Sequence, residues 1–180
     1  MKSFGTLLTR GRPVCIALRD TVSSWSGLPV DSSVETQDSG LPIQTVVNEE
    51  GVRYALLQLT TGRCEVLASH EEIALVEILD APEGYSLEDG LMDFEGVAVQ
   101  PNVLRLSRFG GELVLFDAAH QGEDLEADPG VTPLNLDSTE TYDVLRLEVA
   151  GGYWSVSLFD IEQSELRLTG AWLQCEESTK

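Results

Sequence analysis

Two histidines, three cysteines and a surplus of carboxylates are the groups that could do chemistry in this 180-residue chain. His70 and His120 are too few for a histidine-rich zinc site, and Cys15, Cys64 and Cys175 form no C-x-x-C pair. His70-Glu71-Glu72 lacks the second histidine of a zincin helix. Cys64 with His70 or His120 as base is the one nucleophilic arrangement available. A catalytic thiol needs a positive neighbourhood to lower its pKa, and this chain surrounds it with acids. Walker A, GxGxxG and GxSxG motifs are absent from the sequence. The run from His120 to Asp128, HQGEDLEAD, offers oxygen ligands suited to Ca²⁺, but its spacing is not that of an EF-hand loop, so a solvated loop is expected. The expectation is a protein that is not an enzyme, with no metal and no cofactor.

Charge carries more information. The formal net charge is -20, with a sequence pI near 4.2. Between Arg63 and Arg105 stand ten acids and no base, and between Arg108 and Arg146 nine more, again with no base. The only lysines are Lys2 and Lys180. Solubility asks roughly 2–8 charges of a small domain, and the excess costs stability by self-repulsion. Such a field repels nucleic acid and anionic membrane and attracts a basic protein. With no run of about 18 apolar residues, no apolar signal segment after Met1, and an odd number of widely spaced cysteines, the chain reads as a cytoplasmic protein with reduced thiols. Cys15 and Cys64 read as small buried hydrophobes.

The elements that would position these acids are mostly strands. Val14–Leu18 is a short apolar run. Arg53–Leu59, Thr60-Thr61-Gly62 and Cys64–Leu67 together predict a hairpin. Tyr142–Val149 alternates with period two, and with Gly151-Gly152 and Tyr153–Phe159 it predicts a second hairpin. His70–Leu79 fits a strand slightly better than a helix, and Leu166, Leu168 and Trp172 suggest a last strand. Thr21–Trp25 predicts a short helical turn with Asp20 as its N-cap. Loops are expected at 27–40, 80–90 and 122–133, the last two acidic, and on a β scaffold such loops are where binding residues sit. Trp25, in the polar stretch SSWSG, is expected either to cap the sheet or to serve as an exposed anchor for a partner.

Tyr54, Leu57 and Leu59 fall on Tyr142, Leu145 and Leu147 at a constant offset, and Gly62 falls beside Gly151-Gly152. The fold class that follows is all-β with minor α: an antiparallel β-sandwich, or two similar β modules packed together. One compact domain over 1–180 is expected, with an internal duplication of 1–100 and 101–180 as an option.

The opening GRPVCIALRDTVSSWSG, with GGELVLFDAAHQGEDL and PLNLDSTETYDVLRLEV further on, resembles the immunity-protein-21 family of bacterial polymorphic toxin systems. The resemblance rests on Pro13, Trp25, Gly27, Phe116, Asp117 and Tyr142, and departs from the family where Arg12 replaces a glycine. It implies an antitoxin that binds and neutralises a basic toxin domain. The expected partner-binding residues are Glu83, Glu88, Asp89, Asp93 and Glu95 in one acidic loop, Glu123, Asp124, Glu126 and Asp128 in the other, and Trp25. Two other classes stay open: a structural or phage-type scaffold that forms a homo-oligomer, and a Ca²⁺-dependent binding module.

Overall fold

A computed structural model describes residues 1–9, 11–27, 42–87, 99–127 and 141–176, with the backbone alone at 99–102, 107–110, 123, 126 and 127. The strands are β1 (Lys2–Leu8), β2 (Val14–Leu18), β3 (Ile43–Val47), β4 (Arg53–Leu57), β5 (Arg63–Ala68) and β6 (Glu72–Asp80). They continue with β7 (Val99–Asp117), β8 (Thr141–Tyr142), β9 (Val144–Gln163) and β10 (Leu166–Glu176). A 3₁₀ helix, η1 (Arg19–Ser24), follows β2, and a short helix, α1 (Gly122–Ala127), follows β7. No helix among the described residues is long and apolar enough to cross a membrane.

All ten strands join one sheet in the order β3-β4-β2-β7-β9-β10-β6-β5-β1-β8. Every pair is antiparallel except β1 with β8, so the all-β class holds and the sheet is mixed. The sheet folds over on itself. Ile16, Leu57 and Leu115 from one half share a single apolar cluster with Val66, Leu75 and Leu173 from the other. Alternate residues of the same strands point the other way, as the pleat requires. Cys15, Leu56 and Phe116 form one outer cluster, and Leu67, Val76 and Phe159 form another on the opposite half.

Both sequence-predicted hairpins resolve differently. Gly151-Gly152 is not a turn: β9 runs through it as one 20-residue strand. Residues 109–111 lie opposite, since Phe109 pairs with Gly152 and Gly111 with Val149. There the two long strands bend together from one half of the sheet to the other. Leu145, Leu147 and Val149 face the shared core before the bend, and Trp154, Val156 and Leu158 after it. That switch from odd to even positions is the signature of a bulge, and Gly111 takes the positive φ of 90° it needs. Arg53–Leu59 and Cys64–Leu67 do not pair either. β4 joins β2 and β3, β5 joins β1 and β6, and 58–62 crosses between the halves.

The strands of the first and second halves are related by a two-fold exchange. A shift of 99 positions carries β1 and β2 onto β7, and a shift of 90 carries β4 and β5 onto β9. Leu7–Cys64 then becomes Leu106–Trp154, and Val14–Leu57 becomes Leu113–Leu147, both of which are observed pairs. Across the axis, Val14–Asp117 becomes Leu113–Leu18, again an observed pair. With a shift of 98, Ile73–Leu173 likewise becomes Ala171–Leu75. Gly11 maps to Gly110 and Gly62 to Gly152, the glycines at the corners.

Other expectations meet the structure more simply. The 70–79 run is strand β6, and the last strand is β10. Thr21–Trp25 lies in and beside η1, but its N-cap is Leu18, with no side-chain cap bond, and Asp20 sits inside the first turn. β1 was not read from sequence. Gly5, with φ of 101°, lies in a bulge between Ser3 and Thr6 that breaks the alternation.

Candidate functional site

The best-defined acidic element is α1, and its support can be built from the sequence upward. β2 and β7 are neighbours, and each ends in a segment that turns over the same outer cluster. After β2 this is η1, which buries Val22, and then Trp25. After β7 it is Ala118 and then α1, which buries Leu125. The two segments meet at Gly122, where an added Cβ would fall against the backbone carbonyl of Val22. The Gly122 N–H donates to the Trp25 carbonyl at 2.8 Å.

Trp25 is the keystone of this cap rather than an exposed anchor. Only 5% of it is accessible. Its indole N–H donates to the Ala118 carbonyl at 3.1 Å, and its ring stands edge-on to Tyr54 and Phe116 with centroids 4.8 and 6.4 Å away. Tyr54 reaches through to donate to the Thr21 carbonyl at 3.1 Å. The polar residues around Trp25 in sequence hide this, because the apolar surface that receives it comes from strands far along the chain.

Asp117 makes the turn out of β7. Its carboxylate accepts the Ala119 N–H at 2.9 Å and lies 3.8 Å from the Arg12 guanidinium. The Ala118 N–H donates to the Pro13 carbonyl. Gly27, at φ of 77°, lies against Gln121 and the Ala119 carbonyl. Five of the six residues that carry the family resemblance, Pro13, Trp25, Gly27, Phe116 and Asp117, therefore converge on the cap. Tyr142 lies apart in β8, buried against the shared core.

The cap presents Asp124 outward. Glu123, Asp124 and Glu126 stand on α1, with Asp124 exposed. Sequence reasoning missed a second contribution, from the β3–β4 turn. Asn48 shapes it by accepting the N–H groups of Glu50 and Val52 and ties it to η1 by donating to the Ser24 carbonyl at 3.2 Å. Asp20 stands exposed on η1, which adjoins α1, and Glu49 and Glu50 stand exposed on the turn tied to η1. An asparagine four residues before a valine in an E-E-G turn is the local signal for this.

The other predicted loop lies elsewhere. Residues 81–87 cover the opposite outer cluster through Tyr85 and Leu87, and Glu83 is exposed there. The structure thus places Glu83 and Asp124 on opposite outer faces, with the shared core between them. Glu88, Asp89, Asp93, Glu95 and Asp128 lie outside the described residues, as does most of the 27–40 loop.

None of the three thiols stands in surroundings that lower its pKa. Cys15 and Cys64 are fully buried and unpaired. Burial pushes both well above the ordinary thiol range, and for Cys64 the nearby carboxylates of Glu77 and Glu65 add to it. Burial, then Glu71 and Glu176, raise Cys175 as well. A protonated thiol in an apolar core is not a nucleophile, which removes the Cys64–histidine arrangement. Helix α1 occupies the middle of the oxygen-rich HQGEDLEAD run. Among the described residues no three His, Cys, Asp or Glu side chains gather as a metal site. Set against family models, curated proteins and solved structures, the chain matches none, so the immunity-protein-21 resemblance rests on the residues just located.

Proposed function

We propose that the protein is an immunity-type inhibitor, acting in the cytoplasm, that binds a basic toxin domain stoichiometrically and docks it on the acidic cap. The observation that carries this reading is the combination of a net charge of -20 with a helix of acids held on a buried aromatic platform. Long-range attraction speeds encounter with a positively charged cleft. Carboxylates on a rigid support then pair with Lys and Arg without first being ordered. Glu83, on the opposite outer face, takes no part in the same contact.

Pull-down from the native host lysate at low and at moderate salt tests the reading, with partners identified by mass spectrometry. One basic partner retained at moderate salt is the expected result. The triple variant Glu123→Lys, Asp124→Lys, Glu126→Lys should weaken that partner roughly tenfold to a hundredfold and flatten its salt dependence. Glu83→Lys should leave it unchanged. A mixture of cationic proteins, all lost at moderate salt, would remove support for a specific inhibitor.

A further inference from the structure

Among the described residues, the two-fold pairing pattern has a seam that is closed on one side and open on the other. On the outer edge of β1 the short strand β8 adds in parallel, with Thr6 opposite Thr141 and Leu7 opposite Tyr142. The same shifts carry Thr6 and Leu7 to Arg105 and Leu106, and Thr141 and Tyr142 to Gly51 and Val52. Among the described residues Arg105 and Leu106 do not pair with Gly51 and Val52. The 99–106 stretch of β7 bonds to β9 alone, and Gly51 and Val52 belong to the β3–β4 turn. Between them lies a cavity of about 370 Å³.

Its chemistry differs from the rest of the molecule. Leu18, Val52, Ala55 and Leu106 give it apolar walls, and Thr21 and Thr45 add hydroxyls. Arg53 and Arg105 line it too, two of only 11 basic side chains in the chain. Arg105 already holds Glu176 at 2.6 Å and lies over the Tyr153 ring. Arg53 is exposed and has no acid within ion-pair distance among the described residues. An open strand edge offers backbone donors and acceptors that only another extended backbone can satisfy in series.

The closed seam shows what fits. Its occupant is β8, Thr141-Tyr142, which in the sequence stands between Glu140 and Asp143, with Tyr142 buried to 8% exposure against the core. We propose that the open seam is a β-augmentation site for an extended acidic segment of a partner protein. The segment adds to β7 beside Arg105 and Leu106, an aromatic or apolar side chain enters between Val52 and Leu106, and a carboxylate meets Arg53. This site borders the acidic cap, sharing η1 and the β3–β4 turn through Thr21, Gly51 and Val52, but takes the opposite charge.

The test uses the full-length ¹⁵N-labelled protein and, as probe, a capped peptide of residues 138–144, STETYDV. Saturable shifts at the amides of Val52, Arg53, Arg105 and Leu106 are expected. Arg53→Glu, an exposed change whose own spectrum reports its fold, should weaken binding at least fivefold, and a peptide with Ala for Tyr should bind more weakly still. Absence of shifts at these amides at millimolar peptide overturns the proposal, as does binding indifferent to Arg53→Glu. Two results with the free protein do the same. Slow hydrogen exchange at those amides of Val103–Leu106 that point away from β9 means the chain already pairs this edge, and concentration-dependent shifts there without peptide assign the seam to a second copy of the chain.

Discussion

The two corners where the sheet folds over reach one geometry by different means. In the second half β7 and β9 run through the corner unbroken, and glycine does the bending. Gly111 takes a positive φ, and Gly152 leaves room for the Cys175 sulfur, which an added Cβ would approach to 3.1 Å. In the first half both strands break, between β1 and β2 and between β4 and β5, and polar contacts hold the links in place. The Thr9 N–H donates to the Gly62 carbonyl, and the Arg12 N–H to that of Thr9. Glu77, 2% exposed, accepts the N–H groups of Thr60 and Thr61 at 2.8 and 2.6 Å and the Thr61 hydroxyl at 2.8 Å. Under the two-fold exchange Glu77 corresponds to Cys175, and Cys64 to Trp154. A corner can thus be encoded in the backbone or in a buried carboxylate, and the two respond differently to mutation.

The largest effect belongs to the unbroken corner. Trp154 is fully buried, and its indole N–H donates to the Ala150 carbonyl at the bend. Trp154→Ala should cost about 3–5 kcal/mol in urea unfolding, far more than Cys64→Ala at its counterpart. Equal losses would mean the corners carry load alike. Next comes the clamp. Glu77→Ala leaves two crossover N–H groups without their acceptor and should cost roughly 3 kcal/mol. A loss under about 1 kcal/mol would show the crossover holding its shape without it.

A pH scan sharpens the comparison at Cys64. Its folded pKa is raised, so the unfolded chain loses the proton first. Stability is full below the ordinary thiol pKa and falls as pH rises above it. The slope reaches about 1.4 kcal/mol per pH unit for each fully buried thiol. Cys15 behaves in the same way, so Cys64→Ala should remove one thiol's share of the alkaline slope, read from denaturant midpoints above that pKa. The smallest effect tests glycine directly. Among the described residues nothing lies within 4 Å of a Cβ built on Gly111, so Gly111→Ala meets backbone strain and should cost about 1 kcal/mol. A larger loss would implicate packing that the open surroundings do not show.

Much of the architecture was legible locally. Val14–Leu18, Tyr142–Val149 and the 70–79 run announce strands by composition and alternation, because the pleat sorts side chains at every second residue. The two glycine-centred segments were misread for a shared reason. A glycine between two β-type runs looks the same whether the chain reverses, crosses to another layer or bends within one strand, and the difference lies in which strand stands opposite. For Gly152 that strand is β7, with Phe109. The candidate site divides in the same way. The acids of α1 could be named from sequence, whereas Trp25, among polar neighbours, stays open between capping the sheet and facing a partner. Its true neighbours, Tyr54 and Phe116, stand 29 and 91 positions away.

By itself the sequence determined the β class, the acidic field, the buried thiols and the places where the chain must turn or bend. Each of these depends on residue type and near-neighbour spacing. Only the tertiary structure decided which strands pair, that Glu83 and Asp124 stand on opposite outer faces, and that, among the described residues, one of two equivalent seams lacks a pairing strand. Those outcomes are set by contacts between residues far apart in the chain, where backbone hydrogen bonds are indifferent to side-chain identity and shared apolar burial selects the register.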